Sequence, residues 1–282
     1  MHVDTIDYQA PDAADRFVRS LQDAGFAILT NHPIPADLLE RLYSQWLDFF
    51  FSEIRDEYLF DAEGPFGVQE GYVPPDVSET AVGETRKDLK EFYNLQVEGR
   101  IPPHLEQDIL DYRSRSLKLG QELVSWLEAR LPASVTLSEP LSEMFADEES
   151  LLRVIHYPPL PDDAELSGVR AAAHEDINII TLLPASEQPG LQARDIHGEW
   201  HDLASQSGDL IINSGDMLQE ATGHFVPSTT HRVVNPQRVE HNVSRIAIPY
   251  FLGARSDVVL SERYTAGSYR KERFHSLNPE HH

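Results

Sequence analysis

The sequence contains no cysteine at all. Without thiols the chain cannot form disulfides, cysteine nucleophiles, cysteine-ligated zinc sites or iron–sulfur clusters, so any metal must be held by His, Asp or Glu. No run of 18 apolar residues occurs, and no basic segment followed by an apolar run stands near the start. We therefore expect neither membrane insertion nor secretion, and a cytoplasmic protein.

Basic residues are also scarce. Lys and Arg number 23 against 47 Asp and Glu, which gives a formal net charge of -24, and only Lys87, Lys90, Lys118 and Lys271 are lysines. A field of this sign repels polyphosphate backbones and anionic membrane surfaces, so nucleic acid and membrane are not expected as partners. A small molecule remains as the expected partner, whereas the sequence does not indicate an oligomeric state.

The N-terminal half is predicted to contain helices joined by short strands, since amphipathic stretches alternate with apolar runs. Gly25 ends the first amphipathic stretch. The predicted elements are strands at 3–7 and 26–30, helices at 13–24, from Pro35 to Phe50 and at 105–131, and one strand at 90–96 inside a loop from 60 to 103.

The C-terminal half consists of short β-branched or aromatic runs separated by Pro, Gly and Asp, as in an all-β barrel or sandwich. Strands are predicted at 151–157, 177–183, 190–194, 210–213, 230–235 and 244–252, followed by a short polar helix at 264–274. We expect an N-terminal helical and mixed region at 1–148, a β core at 149–255 and a C-terminal helical tail at 256–282.

His174 and Asp176 are the candidate metal ligands whose sequence context best fits a metal site. A His-x-Asp pair on or beside a strand directs two ligands to one ion, and a third from a distant strand leaves coordination positions open, which suits iron that binds a co-substrate and oxygen. The motif is short, and the chain has 13 His. Similar pairs begin at His2, His104 and His197, but these lie at the terminus, at a helix start and in a hairpin turn.

His231 is the preferred third ligand, because it alone among the downstream histidines lies in a β-branched strand pattern, Ser228-Thr-Thr-His-Arg-Val-Val. A buried structural histidine is the alternative. The other candidates are His197, His201, His224 and His241.

Arg245 interrupts an apolar strand, Ser244-Arg-Ile-Ala-Ile-Pro-Tyr-Phe-Leu. An inward guanidinium is costly unless it is paired, and its planar fork suits a carboxylate such as the distal end of a dicarboxylic keto acid. A salt bridge to a core acid is the alternative.

With these residues assembled, the chain resembles the isopenicillin N synthase-like branch of the Fe(II)/2-oxoglutarate-dependent dioxygenases over nearly its whole length. The segments that carry the resemblance are Val3-Asp-Thr-Ile-Asp, Asp23-Ala-Gly-Phe-Ala-Ile-Leu-Thr-Asn-His-Pro, Gly71-Tyr-Val-Pro, Asp88-Leu-Lys-Glu-Phe, His174-Glu-Asp-Ile-Asn-Ile-Ile-Thr-Leu-Leu, Pro189-Gly-Leu-Gln, Asn213-Ser-Gly-Asp-Met-Leu and Ser228-Thr-Thr-His-Arg-Val. Asp176 precedes His231 by 55 residues, a separation within the range that this family shows.

The resemblance implies a mainly β fold with a double-stranded β-helix (jelly-roll) core, on which an N-terminal α/β region packs. It implies Fe(II) on His174, Asp176 and His231, with 2-oxoglutarate and O2 as co-substrates. Tyr157 matches a position that contacts the co-substrate, and Arg245 begins the family's Arg-x-Ser motif for its distal carboxylate. Ala247 stands where that motif has serine, so one hydroxyl donor is missing.

The implied reaction is hydroxylation, desaturation or ring closure of an amino acid, peptide or secondary metabolite, with release of succinate and CO2. Two alternatives stay open: an Fe(II) oxidase of the same fold that does not use 2-oxoglutarate, and a cupin-like protein that binds zinc or nickel without redox chemistry. The substrate-side candidates are Tyr72, Lys90, Phe92, Arg153, Asn178, Met217 and Phe251. For the apolar ones core packing is the alternative, and Arg153 faces either an acidic substrate or a surface carboxylate.

Overall fold

The computed structural model describes residues 1–61, 70–77, 89–97, 99–160, 169–186, 188–236 and 242–277. Its helices are α1 (Ala13–Ala24), α2 (Ala36–Phe51), α3 (Glu106–Glu128), α4 (Asp216–Ala221) and α5 (Ala266–Leu277). Its strands are β1 (Thr5–Asp7), β2 (Phe26–Thr30), β3 (Gly71–Val73), β4 (Glu91–Leu95), β5 (Leu151–Tyr157), β6 (Val169–His174), β7 (Ile180–Pro184), β8 (Leu191–Arg194), β9 (Trp200–Asp202), β10 (Leu210–Ser214), β11 (His231–Val234), β12 (Arg245–Ala247) and β13 (Tyr250–Leu252).

Two sheets organise these strands. The larger runs in the order β1-β2-β10-β7-β13-β5-β4-β3, with β12 paired to β5, and the smaller runs β6-β11-β8-β9. Only β1 and β2 pair in parallel, while the other strand pairs are antiparallel. This mainly β arrangement with flanking helices is the jelly-roll fold that the sequence predicts.

The large sheet has two buried faces with different neighbours. On β5, Leu152 and Val154 belong to the apolar core shared with the helices, whereas Ile155 and Tyr157 face a second, smaller core that also holds β6, β8 and β11 side chains. Because side chains alternate along a strand, residue parity decides which layer each one enters. We call the layer between the two sheets the interior.

Gly25 joins the N-terminal region to the segment that precedes His231. It ends α1 in the left-handed conformation with φ 67°, and a Cβ on it would lie 2.4 Å from the Thr229 Oγ1 atom. That hydroxyl donates a hydrogen bond of 2.9 Å to the Ala24 carbonyl. A glycine is therefore required here both by backbone conformation and by close packing.

The sequence predicts most elements to within a few residues, but several differ, and β3 and α4 are not among the predicted elements. The strand predicted at 177–183 begins only at Ile180, and the one predicted at 244–252 is divided into β12 and β13. β6 was not predicted, because its Ala-Ala-Ala run lacks the β-branched side chains that mark strands. In the described part of the chain, no helix is long and apolar enough to cross a membrane.

Candidate metal and co-substrate site

Three side chains from separate segments converge at one point of the interior. His174 ends β6, Asp176 follows two residues later in the turn, and His231 begins β11 directly opposite His174 in the strand register. Asp176 Oδ1 lies 3.6 Å from His174 Nε2 and 3.7 Å from His231 Nε2. One ligand atom from each residue lies within 4.8 Å of the others, and among the described residues no other His, Asp or Glu cluster meets this condition.

Both imidazoles present Nε2 to this point because Nδ1 is engaged elsewhere. His174 Nδ1 lies 2.8 Å from the Ala172 carbonyl oxygen, and His231 Nδ1 lies 3.1 Å from that of Thr229. A carbonyl oxygen only accepts hydrogen bonds, so each Nδ1 carries the proton and each Nε2 keeps its lone pair. The backbone therefore fixes the tautomer that a metal requires.

Asp176 is buried, with 6% of its surface exposed, and its two oxygens have different surroundings. Oδ2 accepts hydrogen bonds of 2.5 Å from the Thr181 hydroxyl and 2.8 Å from the Asn213 amide, while Oδ1 faces the two imidazoles. Asn178 in turn donates a hydrogen bond of 2.8 Å to the Thr181 oxygen. This polar chain orients Oδ1 as a single ligand atom.

The charges of the three residues also suit a cation. Burial by itself raises the pKa of Asp176. The adjacent His231 and His174 and the hydrogen bonds from Thr181 and Asn213 lower it by more, so the pKa lies below its ordinary value. Partial burial lowers the pKa of His174, and the adjacent His231 lowers it further. The His174 side chain remains 45% exposed. An ionised carboxylate beside neutral imidazoles is the ligand state that metal binding requires.

Two histidines and one carboxylate on one side of an ion are the donor set that favours non-haem Fe(II) and leaves positions for other ligands. Ligand atoms about 2.1 Å from one ion and at right angles to each other are about 3 Å apart. The observed separations of 3.6 and 3.7 Å are near this value, so the three residues fit the metal.

We predict that Thr181→Val weakens Fe(II) binding by roughly 10- to 100-fold, because partners that orient a ligand contribute about that much to metal affinity. The matched control is Thr222→Val, since Thr222 is also buried and donates its hydroxyl to the Leu218 carbonyl, 2.8 Å away, outside this network. Competition against a fluorescent chelator measures both affinities, and equal affinities would remove Thr181 from the site.

Glu175 links the two ligand-bearing segments. Its Oε1 accepts a hydrogen bond from the hydroxyl of Thr230, the residue before His231, and its Oε2 lies 3.4 Å from Arg273 of α5. Arg273 also contacts Asp216 at 3.0 Å, at the start of α4. The C-terminal helix is thus tied to the metal-ligand turn by ion pairs.

Arg245 projects from β12 into the interior directly beside Tyr157. The two residues are paired in the strand register, and the guanidinium carbon lies 5.8 Å from the Tyr157 ring centroid. Arg245 is 5% exposed, its Nε donates no hydrogen bond to the described residues, and its Nη1 has one long contact, 3.4 Å, with the Pro189 carbonyl. Burial lowers the pKa of Arg245. No described carboxylate pairs with it, so the predicted alternative of a core salt bridge does not occur there.

Ala247 lies two residues further along β12, on the same buried interior face as Arg245. The methyl group provides no donor there. The structure thus brings together Arg245, Tyr157 and Ala247 as the sequence predicts them.

The substrate-side candidates divide between the two faces of the large sheet. Lys90 is buried near enough to His174 for its charge to lower the pKa of that histidine. On the same face, Arg153 lies 4.3 Å above the Phe92 ring and donates a 2.8 Å hydrogen bond to Asn94. Phe251 stands opposite Thr181 in the strand register. These four candidates therefore share the interior with the metal ligands.

The other three candidates require correction. Tyr72 packs on α2, 6.2 Å from Phe50 between ring centroids, and its hydroxyl donates to Glu91 on the helix-facing side. Met217 belongs to the core on that same side. Asn178 contributes to the polar chain behind Asp176 and does not face the open site. Strand register, which a single sequence does not reveal, decides the placement of Tyr72, whereas Met217 lies in α4 and Asn178 in the turn before β7.

Sequence reasoning missed Arg170, Thr181 and Asn213. Thr181 and Asn213 lie in recognised strands, and a polar residue at an inward position of an apolar strand was the available signal. Arg170 lies in β6, the strand that went unpredicted. The predicted alternative ligand His241 lies outside the described residues, and His201 instead contacts Asp195 at 2.7 Å.

Comparisons with known proteins agree with this geometry. The model of the 2OG-Fe(II) oxygenase superfamily matches residues 148–254, and that of the non-haem dioxygenase in morphine synthesis N-terminal region matches 3–114. A solved structure assigned as an oxygenase from Shewanella oneidensis is 46% identical, with 98% of this chain and 99% of that chain covered and a TM-score of 0.89.

Two further relatives are more distant. A 2OG-Fe(II) oxygenase family protein from Caulobacter crescentus is 28% identical, covers 98% of this chain and 99% of its own, and has a TM-score of 0.80. Proline hydroxylase buaE from Petromyces alliaceus is 28% identical, with 92% of this chain and 89% of its own length covered. The chain therefore belongs to the 2OG-Fe(II) oxygenase superfamily and is a dioxygenase that uses Fe(II), 2-oxoglutarate and O2.

Proposed function

We propose that His174, Asp176 and His231 bind the catalytic Fe(II), and that Arg245 beside Tyr157 binds the distal carboxylate of 2-oxoglutarate. The observation that carries this proposal is the convergence of two Nε2 atoms and one Asp176 oxygen, each oriented by its own hydrogen bonds. When bound, the iron and its keto acid supply oxidation of an unactivated C–H bond, with succinate and CO2 as by-products.

The chain's own contribution is positioning and exclusion of water. Buried Arg245 would hold the keto acid at its distal end, since a guanidinium binds a carboxylate with two parallel hydrogen bonds. Asp176 keeps its charge under the Thr181 and Asn213 hydrogen bonds. The apolar interior around Phe26, which packs edge-on against His231 at 5.6 Å between ring centroids, would limit access of bulk water.

For the primary substrate we propose an amino acid, peptide or secondary metabolite that carries a carboxylate and is hydroxylated next to His174. Lys90 is buried near enough to His174 for its charge to lower the pKa of that histidine, and Arg153 lies on the same sheet face, whereas the protein as a whole is strongly acidic. A cation beside the proposed iron site of a strongly negative protein favours small anions over neutral compounds.

Paired screening tests this proposal. Pools of carboxylic acids and their methyl esters are incubated with Fe(II), 2-oxoglutarate and O2, and succinate and product masses are recorded. We expect acids to stimulate succinate release, with products heavier by one oxygen atom, and their esters to be at least about tenfold poorer, the effect of one charge-assisted hydrogen bond. Equal turnover of esters and acids would contradict the carboxylate preference, and an absence of succinate would contradict the reaction.

A further inference from the structure

A second arginine, Arg170 of β6, is buried near Arg245. It is 2% exposed, and its Nη2 donates long hydrogen bonds to the carbonyls of Val243 at 3.2 Å and Pro158 at 3.4 Å. Among the described residues its Nε has no hydrogen-bond partner, and no carboxylate forms an ion pair with it. Within this part of the chain, much of the donor capacity of the guanidinium therefore has no acceptor.

The contacts of Arg170 locate it beside the proposed keto-acid site. Pro158 follows Tyr157 and Val243 precedes Arg245 by two residues, while Tyr157 and Arg245 are themselves paired in register. Burial, and after it the positive charge of Arg245, lowers the pKa of Arg170. The contacts of Arg170 and the strand register therefore place both arginines at the same end of the β5–β12 pair.

Two buried like charges with no described acid beside them are costly. Removing one charge from water is unfavourable unless it is paired, and a second charge of the same sign adds repulsion. This arrangement of two guanidinium groups does not stabilise the fold. It favours the binding of an anion between the two groups.

Ala247 provides the complementary observation. It lies on the interior face of β12, two residues after Arg245, and its methyl group offers no hydrogen-bond donor there. We propose that Arg170 is a second ligand of the distal carboxylate of 2-oxoglutarate, and that with Arg245 it forms a two-arginine clamp that compensates for Ala247. This inference rests on the proposed function.

Calorimetry of the Fe(II)-loaded protein under argon tests the clamp with two keto acids: 2-oxoglutarate, and 2-oxopentanoate, which has the same carbon chain without the distal carboxylate. Arg170→Met is expected to weaken 2-oxoglutarate binding by roughly 10- to 100-fold, as for one charge-assisted hydrogen-bonding group, and to leave 2-oxopentanoate binding within about threefold. Arg170→Lys keeps the positive charge without the planar fork, so its affinity for 2-oxoglutarate should lie between those of wild type and Arg170→Met.

The matched control is Arg113→Met. Arg113 is also a buried arginine, but it forms an ion pair of 2.8 Å with Asp147 away from the site, so its loss should leave both affinities unchanged. Thermal unfolding of each variant without keto acid verifies that it is folded.

The outcomes separate the inference from the function on which it rests. If Arg170→Met or, where that variant does not fold, Arg170→Lys binds 2-oxoglutarate like wild type, the clamp is refuted. An equal loss for both keto acids also refutes it, since that loss is independent of the distal carboxylate. If wild type itself shows no preference for 2-oxoglutarate over 2-oxopentanoate, the proposed co-substrate site fails together with the clamp.

Discussion

Replacing His231 with alanine is expected to reduce turnover by more than about 1,000-fold, because even the partners that orient metal ligands contribute roughly 10- to 100-fold. His231 provides one of only three ligand atoms in the site, so the variant retains a two-ligand site with weak affinity for Fe(II). Since His231 is 7% exposed and packs against Phe26, some loss of stability accompanies the loss of metal.

His201→Ala is the matched control for this variant. His201 is a histidine with a carboxylate neighbour, Asp195, at 2.7 Å, but it lies outside the metal cluster. Bound iron measured after anaerobic reconstitution and desalting should be near one equivalent in wild type and His201→Ala and near zero in His231→Ala. Full iron occupancy and activity in His231→Ala would contradict the assignment of this ligand.

Arg245→Met is expected to raise the 2-oxoglutarate concentration needed for half-maximal succinate release by about 100-fold or more. A buried charged group that makes a bidentate contact contributes roughly 1.5–3 kcal/mol per charge-assisted hydrogen bond, and two such bonds exceed a hundredfold in affinity. The turnover rate at saturating 2-oxoglutarate should change much less, because the guanidinium holds the distal end of the molecule and not its reacting end.

Protein stability without 2-oxoglutarate distinguishes this role from a structural one. Arg245 forms no ion pair with a described carboxylate, so its replacement by an apolar side chain of similar length should leave the melting temperature unchanged or raise it. Arg113→Met removes the Asp147 ion pair and should lower the melting temperature instead. A large destabilisation by Arg245→Met with an unchanged 2-oxoglutarate requirement would mean that the arginine serves the fold alone.

Site residues are easiest to predict from the sequence where the neighbouring residues indicate a buried strand. His231 was distinguishable from four other histidines because β-branched residues surround it, and Arg245 because a charge interrupts an apolar strand. In the structure His231 faces His174 across two paired strands, and Arg245 faces Tyr157 in the same way. Local sequence patterns thus predict that both side chains are buried, whereas the role of Arg245 stays a prediction.

The role of β6 shows where sequence reasoning fails. Its Arg-Ala-Ala-Ala run has no strong strand preference, and only pairing with β11 makes it a strand. Arg170 was missed for this reason. The sequence predicts that His174 and Asp176 lie on or beside a strand. In the structure His174 ends β6 and Asp176 lies in the turn before β7, so the bend of the chain brings them together.

The placement of Tyr72 has a different cause. A strand residue can face either side of a sheet, and a shift by one residue moves every side chain to the other side. Tyr72 pairs with Tyr93 in register and enters the helix-facing layer, whereas Phe92, next in the chain to Tyr93, enters the interior. Register depends on neighbouring strands that a single sequence does not specify.

The most direct test of the central claim is an anaerobic titration of the protein with Fe(II) and then 2-oxoglutarate, followed by visible absorption. A keto acid chelated to Fe(II) on His174, Asp176 and His231 should produce a weak visible charge-transfer band that saturates at one equivalent of iron, and His174→Ala and His231→Ala should lack it. If wild type gives no band, or if either histidine variant retains it in full, the proposed iron and co-substrate site is wrong.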